Sequence, residues 1–158
     1  LGLQPSEALV TGLTAQAVAV QGDFEAQNVA NLFWAFATLG LKPSEALVEG
    51  LTDQSLAVRG DFNSQSIAKT LWAFAKLGLQ PSEALVTGLT AQAVAVQGDF
   101  EAQNVANLFW AFATLGLKPS EALVEGLTDQ SLAVRGDFNS QSIAKTLWAF
   151  AKLGLQPS

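Results

Sequence analysis

The feature that most constrains this chain is an internal repeat. Residues 1–76 and 77–152 are identical, and each 76-residue block contains two half-repeats of 38 residues. The half-repeats 22–59 and 60–97 share 24 of 38 positions. A period of this length is typical of a solenoid, in which each unit buries its apolar face only against its neighbours. The fold is therefore determined by the secondary structure of one half-repeat and by the way in which successive half-repeats pack on one another.

One half-repeat predicts two helices, which we call A and B. In the copy that begins at Gly60, apolar residues recur at helical spacing from Asp61, a suitable N-cap, to Leu77. Gly78 suits the left-handed position after a helix, and Pro81 suits the first helical position of the next one. The predicted helices are B (5–20), A (23–39), B (43–58), A (61–77), B (81–96), A (99–115), B (119–134) and A (137–153).

Each B helix also contains an internal glycine, at positions 12, 50, 88 and 126. Glycine inside a helix costs about 1 kcal/mol relative to alanine, so a recurring one needs a structural reason. We expect each of these glycines to mark a close helix crossing.

Short loops between consecutive helices favour antiparallel neighbours. We therefore expect an all-α fold, a right-handed α-solenoid of tandem antiparallel helix pairs with the A helices on one face and the B helices on the other. A single array covers residues 1–158, with an initial B helix and repeats that start at positions 22, 60, 98 and 136. Neither end has the polar capping unit of natural solenoids. We therefore expect a window of a longer array or a consensus sequence, and uncapped ends that can associate end to end.

The composition argues against catalysis. The chain has no histidine and no cysteine, so no side chain of these types can activate a hydroxyl or act as a thiolate nucleophile. The acidic residues are spread singly along each repeat, without the clustering of a metal site, and no glycine-rich phosphate loop is present. We expect no enzyme activity, no cofactor and no metal. No apolar run approaches the length of a membrane span, so no membrane partner is expected.

A tryptophan recurs in every A helix, at Trp34, Trp72, Trp110 and Trp148. These rings could form a stacking platform for nucleic-acid bases or the core between repeats. The regular period and the surrounding apolar residues favour the core. On that interpretation, Trp72→Ala would lower the free energy of unfolding by about 3–5 kcal/mol.

The positions that differ between half-repeats are the candidates for ligand recognition. In helix A, positions 28, 31, 32 and 35 lie about one turn apart and are predicted to share a face. They carry amide, hydroxyl and ammonium groups, which read base edges or bind short peptides, although an ordinary solvated face would carry them too. The candidate RNA- or ligand-facing residues are Asn28, Asn31, Leu32, Ser66, Lys69, Thr70, Asn104, Asn107, Leu108, Ser142, Lys145 and Thr146.

The segments Gln27–Gly40 and Gln65–Gly78, with their shared Trp-Ala-Phe-Ala and Leu-Gly motifs at a 38-residue period, resemble the octotricopeptide repeat. The resemblance covers the whole chain. It implies a paired-helix solenoid that binds single-stranded RNA, one base per repeat, and controls transcript stability or translation. It also suggests an organelle or an intracellular bacterium as the location, although the chain itself shows no targeting segment.

Two functions stay open at this point. In the first, the array binds single-stranded RNA, with the candidate residues facing the bases and Lys42, Lys69, Lys118 and Lys145 meeting phosphates. In the second, it is a protein-interaction or filament-forming array without nucleic acid, which fits the net charge of −6 better. The charge of the A-helix groove discriminates between them, because a positive groove favours RNA and a neutral or negative groove favours protein.

Overall fold

The computed structural model describes residues 3–155, and every regular element within that range is helical. Helices of type B are the odd-numbered ones and helices of type A are the even-numbered ones, which confirms the predicted alternation. The helices are α1 (Glu7–Ala19), α2 (Ala26–Leu39), α3 (Glu45–Ala57), α4 (Ser64–Leu77), α5 (Glu83–Ala95), α6 (Ala102–Leu115), α7 (Glu121–Ala133) and α8 (Ser140–Leu153).

The helices form two layers. In the A layer, α2 packs on α4, α4 on α6 and α6 on α8, whereas consecutive B helices contact each other much less. This arrangement confirms the predicted α-solenoid of helical hairpins. A solenoid commonly binds its ligand on a concave face, and we expect the free side of the A helices to form that face. The right-handed sense of the array stays a prediction.

Glycine ends every A helix, as the sequence predicts. Gly78 has a φ of 69°, in the left-handed region that residues with a side chain rarely adopt. Its N–H donates to the carbonyl of Ala75, and the N–H of Leu79 donates to the carbonyl of Phe74 at 2.9 Å. These bonds satisfy the last carbonyls of the helix and turn the chain toward the next B helix.

The helices begin later than predicted. Asp61 is not the N-cap of α4, because Arg59–Asp61 form a short 3₁₀ helix and Asn63 is the cap. Asn63 Oδ1 accepts the N–H of Ser66 at 2.8 Å, and Ser66 Oγ accepts the N–H of Asn63 at 2.8 Å, which is a capping box. The B helices begin in a similar way, since Ser82 caps α5 and Pro81 precedes the cap instead of occupying the first helical position.

Phenylalanines form the centre of the core. Phe33, Phe62, Phe74, Phe100 and Phe109 are almost completely buried. Pairs of rings connect successive A helices, with centroids 4.8 Å apart for Phe33 and Phe74 and 5.0 Å apart for Phe109 and Phe150. Such spacing is typical of favourable aromatic pairs. The core therefore runs continuously through the repeats.

A glutamine from each of the B helices α3, α5 and α7 ties that helix to the start of its own repeat, and we call this link the glutamine joint. Gln92 of α5 donates its Nε2 to the carbonyls of Gly60 (3.2 Å) and Phe62 (2.9 Å), which lie at the start of the preceding A unit. Gln54 and Gln130 make the same pair of bonds in their own repeats. The sequence analysis did not predict this joint.

Three of the four glycines inside the B helices, Gly50, Gly88 and Gly126, accommodate side chains, so the predicted close crossing of helix backbones is wrong. A Cβ at Gly50 would collide with the side chain of Gln21, and a Cβ at Gly88 would meet Leu56 Cδ2 at 3.1 Å. In both cases the neighbour is a side chain from the preceding repeat and not the backbone of a crossing helix. At Gly12 a Cβ would meet nothing within 4 Å.

Identical residues differ in exposure between the outer and inner copies. Leu9 of α1 is 50% exposed and Leu147 of α8 is 64% exposed, whereas their copies Leu85 and Leu71 are buried. The difference shows how much apolar surface one repeat buries against the next. The predicted end-to-end association stays a prediction. Among residues 3–155, no helix has both the length and the apolar character that crossing a membrane requires.

Candidate nucleic-acid interface

Charge is separated between the two layers. The four A helices contain the lysines Lys69, Lys76, Lys145 and Lys152 and no acidic residue. The four B helices contain no lysine or arginine. They contain the acidic residues Glu7, Glu45, Glu49, Asp53, Glu83, Glu121, Glu125 and Asp129. The other six acidic residues lie just before the A helices, and two of them, Glu101 and Asp137, line a pocket together with Asn107 and Lys145.

One side of each A helix carries residues that are exposed or half-buried. In α4 it carries Gln65, Lys69, Trp72 and Lys76, which follow the spacing i, i+4, i+7 and i+11 of a single helical face. We call this set and its equivalents the A stripe. The equivalents are Gln27, Asn31, Trp34 and Thr38 in α2, Gln103, Asn107, Trp110 and Thr114 in α6, and Gln141, Lys145, Trp148 and Lys152 in α8.

The tryptophans belong to the A stripe, and their predicted place in the core is correct only in part, because Trp72 and Trp110 pack against the core while Trp34 and Trp148 are exposed. Trp34 is 44% exposed and Trp148 is 46% exposed, while Trp72 and Trp110 are half-buried. The rings of Trp72 and Trp110 lie with their centroids 6.4 Å apart and their planes tilted by 37°. The phenylalanines two positions later occupy the core instead. Because a helix turns about 200° over two residues, the two aromatics point to different sides.

Lysine and asparagine side chains connect successive A helices across the A stripe. Lys69 Nζ donates to Asn31 Oδ1 at 3.1 Å, and Lys145 Nζ donates to Asn107 Oδ1 at 3.1 Å. We call these two pairs the Lys–Asn clasps. Lys69 Nζ also lies 5.8 Å from the ring centroid of Trp34, a distance at which an ammonium is attracted to an indole face.

A polar cleft opens between α4 and α6. It is lined by two ammonium groups, four side-chain amides and two indole rings, and none of its lining residues is acidic. These residues are Trp34, Gln65, Ala68, Lys69, Trp72, Gln103, Asn104, Asn107 and Lys145. We call it the α4–α6 cleft. Cationic, amide and aromatic groups in one groove are the combination that single-stranded nucleic acids bind.

Six of the predicted ligand-facing residues are at the free surface or its edge. Asn31, Lys69, Asn107 and Lys145 lie in the A stripe, and their role in binding stays a prediction. Asn28 and Asn104 lie at the N-terminal edge of the stripe, where the Oδ1 atoms accept the N–H of Glu25 and of Glu101 at 3.0 Å. The amide nitrogens of both asparagines are not used in these bonds.

The structure corrects the other six. Thr70 and Leu108 are completely buried, Leu32 packs against the core, and the hydroxyl of Thr146 is buried. Ser66 and Ser142 are buried in capping boxes. The predicted face was rotated by one residue, and each residue turns the helix by about 100°. The leucines at positions 32 and 108 are the signal that could have corrected this, because an apolar residue alternates with threonine there.

The sequence analysis also missed the glutamines of the A stripe. Gln65 and Gln103 line the α4–α6 cleft, and the equivalent residues in α2 and α8 are exposed. These glutamines are identical in all four half-repeats, so a prediction based on the positions that vary does not include them. An exposed polar residue that every copy retains was the available signal.

The comparisons with known proteins identify a family. No curated protein matches the sequence. The model of one family, described as RNA-editing substrate-binding complex 6 protein (RESC6), matches residues 1–157. This match supports a helical-repeat family but not the octotricopeptide family specifically. With two layers of helices, a continuous core and a match over nearly its whole length, the chain belongs to the RESC6 family.

Proposed function

We propose that this chain is a non-catalytic RNA-binding module that holds single-stranded RNA along the A stripe. In this role it would act within a complex that binds the substrates of RNA editing. The observation that carries the proposal is the α4–α6 cleft, where two lysines, four amides and two tryptophans meet without an acidic side chain.

The distribution of charge supports this proposal. The B-helix acids lie in the second layer, and packed helices are about 8–10 Å apart. That distance is close to the Debye length of about 8 Å at physiological ionic strength, so the acids act only weakly on a strand bound at the A stripe. A phosphate backbone in the α4–α6 cleft, whose lining is free of acidic residues, would therefore meet Lys69 and Lys145 before the acids of the B helices.

The side chains of the cleft match what single-stranded RNA offers. Half-exposed indole rings give each base a stacking surface, which is worth about 1–3 kcal/mol per base. The glutamine and asparagine amides between the rings can hydrogen-bond base edges that an unpaired strand leaves open. In single-stranded RNA the phosphates alternate with these bases, and Lys69 and Lys145 can reach them from both sides of the cleft.

The family adds independent support. Its name describes a complex that binds the substrate of RNA editing, and the substrate of such a complex is an RNA. The octotricopeptide resemblance adds the finer expectation that repeats and bases correspond one to one. A protein partner is the competing outcome, and the binding experiment below distinguishes the two.

The test is fluorescence anisotropy with a labelled random pool of RNA of about 12 nucleotides, a length within the site sizes of single-strand binders. Affinity should fall steeply between about 50 and 200 mM salt. The variant Lys69→Asn/Lys145→Asn places at both positions the residue that α2 and α6 already carry. It should reduce the slope of log affinity against log salt by about 1.4, or about 0.7 for each lost phosphate contact.

The matched control is Arg59→Gln/Arg135→Gln, which removes the same charge and again installs the residue of the alternate half-repeats. Arg59 lies on the B side against Gly88, so this control should leave the slope nearly unchanged. Absence of binding at low salt, or a slope near zero, would overturn the proposal and favour the protein partner.

A further inference from the structure

The Lys–Asn clasps fix which way the asparagine amides point. An ammonium group only donates hydrogen bonds, so the atom of Asn107 that faces Lys145 Nζ at 3.1 Å must be its carbonyl oxygen. The same reasoning applies to Asn31 and Lys69. The amide nitrogen of Asn107, with two N–H groups, is therefore left for other partners.

Asn104 is oriented in the same sense by the backbone. Its Oδ1 accepts the N–H of Glu101 at 3.0 Å, and a backbone N–H is also a donor only. Rotating this amide would break the cap of α6, so its nitrogen side is held free. Two asparagines that line the α4–α6 cleft thus have their oxygens engaged elsewhere.

The fixed hydrogen-bonding groups of the cleft are therefore mostly donors. They comprise the ammonium groups of Lys69 and Lys145 and the amide nitrogens of Asn104 and Asn107. The side-chain oxygens of Gln65 and Gln103 are the remaining amide acceptors of the lining, and these amides are not held by a clasp or a cap. No carboxylate of the lining adds acceptors.

We infer that the α4–α6 cleft selects the keto bases, uracil and guanine, over the amino bases, cytosine and adenine. Guanine presents O6 and N7 as adjacent acceptors, and uracil presents its O4 where cytosine has an amino group. The amino groups of cytosine and adenine are donors, and they would face the lysine and asparagine donors of the cleft, with which they cannot form hydrogen bonds. The inference rests on the proposed function, because it assigns a base preference to the same RNA site.

The decisive comparison is oligo(U) against oligo(C), each of about 12 nucleotides, at neutral pH and about 50 mM salt. The two bases have the same ring size and differ mainly in the group that the donors meet. Oligo(U) should bind at least about fivefold more tightly, which corresponds to the lower end of one good base contact. The same comparison can be made for purines with two oligomers that differ only by guanine in place of adenine at single positions. The oligomer with guanine should bind more tightly.

The variants locate the source of the preference. In Lys69→Asn/Lys145→Asn the clasps are lost, and the oxygens of Asn31 and Asn107 become available to accept hydrogen bonds. The ratio of the affinity for oligo(U) to the affinity for oligo(C) should therefore fall toward one. Arg59→Gln/Arg135→Gln should keep it. If the clasp variant binds too weakly, the single variant Lys145→Asn replaces it. Circular dichroism should show that every variant retains its helices.

The outcomes separate the base preference from RNA binding itself. Equal binding of both oligomers, a preference for oligo(C), or a preference that survives loss of the clasps would overturn the inference while leaving RNA binding intact. Failure of every oligomer to bind would instead overturn the proposed function.

Discussion

The A and B layers are built from helices of nearly equal length, 14 and 13 residues, yet they differ in almost every physical respect. The A helices pack closely on one another, carry lysines and present tryptophans and amides to solvent. The B helices contact one another sparsely, carry acids and end in 3₁₀ turns. The comparison teaches that the two layers have separate tasks. The B layer completes each helical hairpin and carries acidic residues, while the A layer supplies the aromatic part of the core and the proposed ligand surface.

The A layer combines these two roles within a single turn of helix. Lys69 and Trp72 lie on the free side, while Thr70 and Phe74 are completely buried. Core and surface residues therefore alternate within a few positions. Four predictions test two distinctions: the one between the core side and the free side of the A helices, and the one between the A and B layers.

The largest effect is expected from Phe74→Ala, which removes a fully buried ring that packs 4.8 Å from Phe33. The free energy of unfolding should fall by about 3–5 kcal/mol, because the change loses buried apolar surface and leaves a cavity. Urea denaturation followed by circular dichroism measures this loss. A loss below about 1 kcal/mol, as for a surface site, would show that the core side of α4 is not where we describe it.

The next effect is expected from Trp72→Ala, two positions earlier on the free side. RNA affinity should fall by about 1–3 kcal/mol, the range for one lost stacking partner. The loss of stability should be smaller than for Phe74→Ala, since the ring is only half-buried. Anisotropy and denaturation on the same samples give both values. If the affinity for RNA is unchanged and the stability loss equals that of Phe74→Ala, Trp72 acts as a core residue and not as a stacking partner.

Gln92→Ala tests the glutamine joint that ties α5 to the start of its repeat. The variant leaves the carbonyls of Gly60 and Phe62 without the Nε2 donor, and we expect a stability loss of about 1–2 kcal/mol. Gln103→Ala, in the A stripe, is the matched control and should cost little stability while weakening RNA binding. The opposite pattern, with stability lost at Gln103 and affinity lost at Gln92, would contradict the division of tasks between layers.

The smallest effect is expected from Glu49→Thr/Glu125→Thr, which installs in α3 and α7 the residue that α1 and α5 already carry. Stability should change by less than about 0.5 kcal/mol, as is usual for exposed sites. RNA affinity should rise by less than about twofold, because screening weakens the acids of the far layer. A large rise in affinity would mean that the B-layer acids reach the concave face.

The architecture could be predicted from the sequence because the repeat supplied it four times. The 38-residue period, the glycine at Gly78 and the apolar spacing in helix A fixed the helices and their order to within a few residues. The predicted starts were too early because Asp61 has the chemistry of a cap and Pro81 suits a first helical position, although the nearby Asn63 and Ser82 are the actual caps. Local propensity does not decide between two adjacent capping residues.

The candidate site was harder to predict because its face depends on a small rotation. Tryptophan suits both a core and a surface, and threonine at position 70 looks polar although it is buried without a hydrogen-bond partner for its hydroxyl. The distinction depends on how tightly α4 packs against α2 and α6, which is a property of the assembled layer. The clasp between Lys69 and Asn31 joins residues 38 positions apart, so only the stacked repeats reveal it.

The glutamine joints have a consequence for how this protein responds to its solution. Gln54, Gln92 and Gln130 each hold a B helix to the start of its own repeat through a neutral amide and backbone carbonyls, and these groups carry no charge that would attract counterions. Changes of salt should therefore leave the pairing of the two helices in each repeat unaltered, while they weaken or strengthen the proposed contacts of the lysines with phosphates. The fold of each repeat would then be insensitive to ionic strength, whereas the affinity for the proposed RNA ligand would depend on it.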